Sequence, residues 1–231
     1  MDEKYAEYLL SKTQQDYNKI AEHFSITRGF FEKDLRNLLR FLKDKEKVLD
    51  LGCGNGRLRK ALWGKNIEYV GVDNSEELVK IAKIKYPKEI FLKANALDLP
   101  FSENYFNKIF SIAVFHHIPS KKLRLKFLKE AKRVLKPEGL LIVTVWNLYQ
   151  KRFFKSHLKY TLLKILGLSR LDFRDIFFLW KSQEGRPIVQ RYLHSFTQGE
   201  LKKLIKKSGL KLKEIGFLEK EKKNIYLVAE K

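Results

Sequence analysis

One cysteine, Cys53, stands among 231 residues, so the chain lacks the means for an internal disulfide or a cysteine-rich zinc site. That scarcity fits a reducing compartment, and the cytoplasm is the expected location. No stretch reaches about 18 uninterrupted apolar residues, which argues against stable membrane insertion. The first ten residues are acidic and polar rather than a basic cap on an apolar run, which argues against secretion. Acid is in short supply: 27 Asp and Glu face 48 Lys and Arg, a net charge of +21. The imbalance points to a polyanionic partner, nucleic acid ahead of an anionic membrane surface. Internal repeats and low-complexity tracts are absent too.

What is present reads as a folded α/β chain. The apolar share is 44%, near the globular norm. Short β-like runs at 47–52, 69–73, 90–94, 108–113 and 140–146 alternate with helix-like stretches near 56–63, 75–86 and 121–135. Strand and helix in alternation imply a parallel sheet covered on both faces. A later helix near 198–207 precedes strands near 212–217 and 225–229, whose short link makes them antiparallel neighbours. Ahead of the first strand, 17–24 and 30–42 read as two helices over the carboxyl edge of the sheet.

The segment Val48 to Gly56 carries the first chemical signal. An apolar strand with Asp50 ends in Gly52, Gly54 and Gly56 and opens a helix. Glycines there permit positive φ and close approach of a ligand, and carboxyl ends of strands at a switch point are where such sheets bind ligands. Asp73 closes the next strand, placed to accept ribose hydroxyls. The Gly-x-Gly-x-Gly spacing differs from the dinucleotide fingerprint, and an acid at the mouth suits a cationic ligand better than a phosphate.

These residues resemble class I S-adenosylmethionine-dependent methyltransferases. The resemblance implies a Rossmann-like fold with a mostly parallel seven-stranded sheet, an antiparallel last strand and helices on both faces. It assigns the cofactor to Asp50, Gly52, Gly54 and Gly56 (amino acid moiety), Asp73 (ribose), and Asn95, Ala96 and Leu97 (adenine), with S-adenosylhomocysteine as product. Asn95 departs from the family, where Asp is common; an amide oxygen can still accept a hydrogen bond from the adenine amino group.

A narrower resemblance rests on His23-Phe24-Ser25-Ile26-Thr27-Arg28, Ser111 to His117, Val145-Trp146, and Arg191-Tyr192-Leu193-His194 followed by Gly199-Glu200-Leu201. In this order they are similar to the wobble-uridine tRNA methyltransferases, a domain that animals fuse to an AlkB-like oxygenase. The family methylates the carboxylate of 5-carboxymethyluridine in the anticodon. Ser120-Lys121-Lys122 and Asn147 depart from its usual pattern. A carboxylate is ionised at neutral pH, so its methylation needs alignment rather than a general base. Arg28 and Arg191 are candidate forked donors to that carboxylate, Arg28 first. His117, Trp146, Tyr192 and His194 are candidate pocket walls for a flipped base. Each also has an ordinary structural reading, as surface charge, core or packing residue. No metal site is expected.

The chain reads as one methyltransferase domain over 1–231: an N-terminal helical cap at 1–45, a cofactor half at 46–146, a basic aromatic insertion at 147–190, and a C-terminal helix with two strands at 191–231. The insertion is a helical lid whose rings either pack inward, face tRNA or lie on a membrane surface. The expected partners are tRNA and, by the resemblance, a small zinc-containing activator subunit that adds a strand at the 90–94 edge. The competing reading is a methyltransferase of a small or lipid-like molecule such as a quinone precursor; a non-catalytic RNA-binding subunit is a third.

Overall fold

The computed structural model describes residues 1–28, 33–218 and 223–231. In chain order the strands are β1 (Lys47–Leu51), β2 (Glu68–Asp73), β3 (Ile90–Lys93), β4 (Phe106–Ile112), β5 (Leu135–Trp146), β6 (Asp175–Lys181), β7 (Pro187–His194), β8 (Lys211–Leu218) and β9 (Asn224–Glu230). Seven of them form one sheet in the order β3-β2-β1-β4-β5-β9-β8; β6 and β7 form a separate two-stranded sheet. β1 runs parallel to β2 and β4, and β4 to β5. β9 is antiparallel to both β5 and β8. The chain leaves β1 toward β2 and β3, then returns to the other side at β4. That reversal opens a crevice at the carboxyl ends of β1 and β4.

Alternation along the strands divides the core. Leu49, Leu51, Ile109, Leu141 and Val143 point to one face, where Phe127 and Leu201 pack on them. Val48, Phe110 and Ile142 point to the other, against Leu35, Leu58 and Val79. The covering helices are α1 (Glu3–Lys19), α2 (Ala21–Thr27), α3 (Arg57–Ala61), α4 (Glu76–Lys85), α5 (Lys121–Val134), α6 (Phe154–Ile165) and α7 (Gln198–Ser208). Their ends are chemically marked. Ser75 caps α4 by accepting from Leu78 N, with Glu76 and Glu77 in the first turn and Lys83 and Lys85 in the last. Thr197 caps α7 at one end and Gly209, at φ +76°, closes the other.

Two regions differ from the sequence expectation. Residues 17–24 are not one helix: α1 begins at Glu3, ends at Lys19, and α2 starts after Ile20. Asp2 accepts from Tyr5 N, a cap that sets the earlier start. Of the expected helix at 30–42, residues 30–32 lie outside the described residues, and Lys33–Phe41 is a 3-10 helix. In the insertion the helix α6 is joined by the hairpin β6–β7, so β7 crosses the 190/191 boundary. A tight turn makes the hairpin: Ser182 N donates to Arg186 O and Gly185 adopts φ +80°.

Candidate active site

The crevice between β1 and β4 deepens into a cavity of about 430 Å³, roofed by α1 and α2 and walled by the β6–β7 hairpin. At its floor Gly52 sits at φ +83°, and a Cβ there would lie 2.3 Å from Val114 Cγ2. Gly54, at φ +54°, leaves only the Phe24 ring, 3.5 Å from where a Cβ would be. Conformation requires glycine at both positions, and at Gly52 space requires it too. Ala113, ending β4 on the opposite lip, also holds a positive φ of 60°, fixed by hydrogen bonds from its N–H to Thr144 O and Oγ1.

Asp73 completes this end. Its Oδ2 accepts from Gly54 N at 2.8 Å and its Oδ1 from Ser75 N at 2.8 Å, which orients the carboxylate and leaves lone pairs on both oxygens. Burial pushes its carboxyl above the usual range, against those backbone donors. Asn95 and Ala96 line the adjoining wall. The Asn95 amide oxygen accepts from Leu97 N at 3.0 Å, so it shapes its own turn. Thr13 on α1 lines the same end, and its buried hydroxyl has no partner. A glycine cradle, a buried carboxylate and an unsatisfied hydroxyl in one cavity fit a polar nucleoside ligand carrying positive charge.

Three of the eight cofactor candidates do not line the cavity. Asp50 is buried inside β1, where Tyr69 donates to it at 2.7 Å; burial raises its pKa to about 7, while the Tyr69 hydrogen bond and Arg57 act the other way. Gly56 caps α3, where a Cβ would meet Tyr86 and Phe91. Leu97 packs in the core.

The other half of the cavity is aromatic and cationic. The Arg191 guanidinium lies 5.2 Å from the Trp146 ring centroid and 4.6 Å from that of Trp180. Arg191 is only 3% exposed, and its Nε has no partner. Its Nη1 donates to the Tyr17 hydroxyl at 3.3 Å. Among the described residues no carboxylate forms an ion pair with it. Tyr17 in turn donates to His117 Nε2 at 2.8 Å, and His117 Nδ1 donates to Tyr192 O at 3.0 Å. Burial and then the Arg191 charge push the His117 pKa down to about 3, so the ring is neutral and its Nε2 accepts. Trp180 is oriented by a 2.8 Å hydrogen bond to His23 Nδ1. Arg28, at the end of α2, lies 5.2 Å from the same Trp180 ring but is exposed.

Four of the six substrate candidates, Arg28, His117, Trp146 and Arg191, therefore share this wall. Tyr192 and His194 do not. They occupy the opposite face of β7 from Arg191, as strand alternation requires. There the Tyr192 hydroxyl accepts from Arg124 Nη2, and His194 bridges Asp175 at 2.6 Å and Glu200 at 2.9 Å. This buried network ties the hairpin to α5 and α7. Tyr17 and Trp180 also line the wall and are missing from the sequence-based set.

The sheet order, the glycine loop and the acid at the end of β2 define a class I S-adenosylmethionine-dependent methyltransferase. Residues 49–143 match the family model of a methyltransferase domain. A SAM-dependent methyltransferase from Methanosarcina mazei superposes with a TM-score of 0.69 at 23% identity, covering 84% of this chain and 96% of that one. So does a Haloferax volcanii chain solved in complex with the Trm112 methyltransferase activator, with a TM-score of 0.69, 17% identity and coverage of 94% and 96%. The Schizosaccharomyces pombe tRNA (carboxymethyluridine(34)-5-O)-methyltransferase is 31% identical across 97% of this chain and 98% of its own length. The chain belongs to this family of tRNA methyltransferases. It spans only 32% of the longer Arabidopsis thaliana relative of the same name.

Proposed function

We propose that the chain methylates the carboxylate of 5-carboxymethyluridine, or a closely related modified uridine, at the wobble position of tRNA. The observation that carries this reading is Arg191, a buried cation between two tryptophan rings that pairs with no carboxylate among the described residues. A buried charge calls for a counter-charge, and a planar fork of donors beside flat aromatic walls suits a carboxylate attached to a flat base.

Asp73, with Gly52 and Gly54 beneath it, would hold the cofactor, and Asn95 and Ala96 would frame its adenine. When bound, S-adenosylmethionine supplies an electrophilic methyl group. The protein's own residues have a positioning task. Arg191 holds one carboxylate oxygen, which leaves the other to take the methyl; Trp146 and Trp180 exclude water from the pair. The acceptor carries its own negative charge, so no residue has to remove a proton. The neutral His117 fits that scheme, since it orders Tyr17 and through it Arg191. Arg28 lies nearer solvent and serves the approach of the RNA phosphates.

The β3 edge suits a protein partner. Ile90 on β3 is exposed, as are Ile84 on α4 and Trp63 after α3, giving an apolar rim beside unpaired strand atoms. An activator subunit, zinc-containing by the resemblance, would add a strand there. No helix among the described residues is long and apolar enough to cross a membrane.

The test is methyl transfer from labelled cofactor to tRNA, followed by nucleoside mass spectrometry, with and without an activator. A base-labile methyl ester on the wobble uridine is the expected product. Transfer to a small apolar acceptor, with none to tRNA under any of these conditions, would overturn the reading.

A further inference from the structure

A second concavity lies on the insertion, outside the cofactor cavity. It is an open groove of about 890 Å³ on which Tyr149, Phe154, His157 and Phe173 place their rings. Phe154 is 65% exposed, Phe173 59% and Tyr149 53%. Tyr149 and His157 are already stacked, with centroids 5.5 Å apart and planes 4° from parallel. Tyr149 is tied down by its hydroxyl, which donates to Ser195 O, and His157 Nε2 donates to Leu148 O. A fixed Tyr149–His157 stack flanked by the open rings of Phe154 and Phe173 is a platform suited to a flat ligand.

The groove's own lining carries charge of one sign, although Arg174 also pairs with Glu200 beside it. Lys151 and Arg174 line the groove, and no acidic side chain does. Residues 147–171 contain six Lys and Arg and no Asp or Glu. Fixed rings with a cationic rim match a nucleobase and its phosphate better than they match an apolar peptide, which needs no positive charge.

The groove is close to the catalytic cavity along the chain. Trp146 lines the cavity and Tyr149 the groove, and three residues of chain span at most about 11 Å. The neighbouring cations divide the same way, with Arg152 lining the cavity and Lys151 the groove. This is the scale of adjacent nucleotides in an unstacked strand, with a cationic ridge between them.

We infer that the Tyr149–Phe154–Phe173 groove is an RNA subsite that stacks an unpaired base flanking the methylated nucleotide, while Lys151 and Arg152 meet the phosphate that links the two. The inference rests on the RNA-acceptor reading above and extends it to a second nucleotide. The subsite would grip the anticodon loop only when its bases are splayed, and so favour single-stranded over paired RNA.

The experiment uses the full chain, with its activator if one is required, and an anticodon stem-loop carrying 2-aminopurine on either side of the target uridine. Phe154→Ala and Phe173→Ala change exposed side chains and leave the core intact. The expected result is a KM for the stem-loop raised about tenfold in each variant, with kcat and cofactor affinity unchanged and the quenching of one 2-aminopurine lost. Variants that equal wild type in KM and quenching, while wild type methylates tRNA, would overturn the subsite alone and leave the groove to a protein partner. A wild type that methylates no RNA would overturn the acceptor reading and the subsite with it.

Discussion

Tyr17 and His117 are one hundred residues apart in the chain and 2.8 Å apart in space, hydroxyl to Nε2. Through that hydroxyl the N-terminal helix α1 reaches both the turn after β4 and the Arg191 guanidinium on β7. The three side chains form one directional chain, in which Arg191 donates to Tyr17, Tyr17 to His117, and His117 to the Tyr192 carbonyl. It holds a cation still at the wall where the acceptor is proposed to bind.

Tyr17→Phe keeps the ring and removes the relay. Arg191 then loses a hydrogen bond and gains freedom, and His117 Nε2 is left without its donor. A hydrogen bond to a charged group contributes about 1.5–3 kcal/mol, so kcat/KM for tRNA should fall roughly tenfold to a hundredfold. Cofactor affinity, measured by calorimetry, should fall far less.

His117 should leave no mark on the pH profile of the chemical step. With its pKa pushed down to about 3, His117 stays neutral across the working range. The His116 pKa is lowered as well, by burial first and then by the electrostatics of His117 and Arg191 beside it. Single-turnover methyl transfer by His117→Asn should therefore keep the pH profile of wild type. The depressed values act on stability instead. The unfolded chain takes up these protons more readily, so stability is lost as pH falls below about 6.5 toward about 3. Acid melts of His117→Asn should have a shallower slope over that window.

Asp50 gives the opposite sign. Its folded pKa of about 7 lies above the ordinary 3.8, so the folded chain binds this proton more tightly than the unfolded one. Its contribution favours folding at low pH and declines as pH rises from about 4 to about 7, by a total on the order of 4 kcal/mol. Asp50→Asn can still accept from Tyr69 but cannot ionise. Denaturant titrations should find the variant gaining on wild type as pH rises through that window.

Gly52→Ala tests the floor of the cofactor site. The new methyl would fall 2.3 Å from Val114 Cγ2 on a backbone at φ +83°, so both a displacement and a strained conformation follow. We expect a loss of about 2 kcal/mol or more of stability and at least tenfold weaker cofactor binding. Gly64→Ala, which meets nothing within 4 Å at a similar φ, is the control for backbone strain alone.

The seven-stranded sheet was legible because its strands and helices have a clear period or a marked end: Val48, Leu49 and Leu51 around Asp50, the Ser75 cap, Thr197 with Gly209. The β6–β7 hairpin was not, since Ile176 to Trp180 is a continuous apolar run that helix and strand share equally. Period 2 shows there only after Arg191 and Tyr192 are seen on opposite faces. The site was legible to the extent that motif residues are also wall residues. Gly52, Gly54, Asp73 and Arg191 are both; Asp50, Tyr192 and His194 belong to the same strings but face inward. Tyr17 and Trp180 carried no motif, because their role comes from where α1 and the hairpin meet.

Whether buried Arg191 receives the acceptor carboxylate is decided by steady-state methyl transfer to a 5-carboxymethyluridine anticodon stem-loop with wild type and Arg191→Lys. Lysine keeps the charge but not the planar fork or its stacking between Trp146 and Trp180. The expected result is a loss of at least about a hundredfold in kcat/KM, with cofactor affinity within about twofold of wild type. A variant that methylates the stem-loop at the wild-type rate would contradict it.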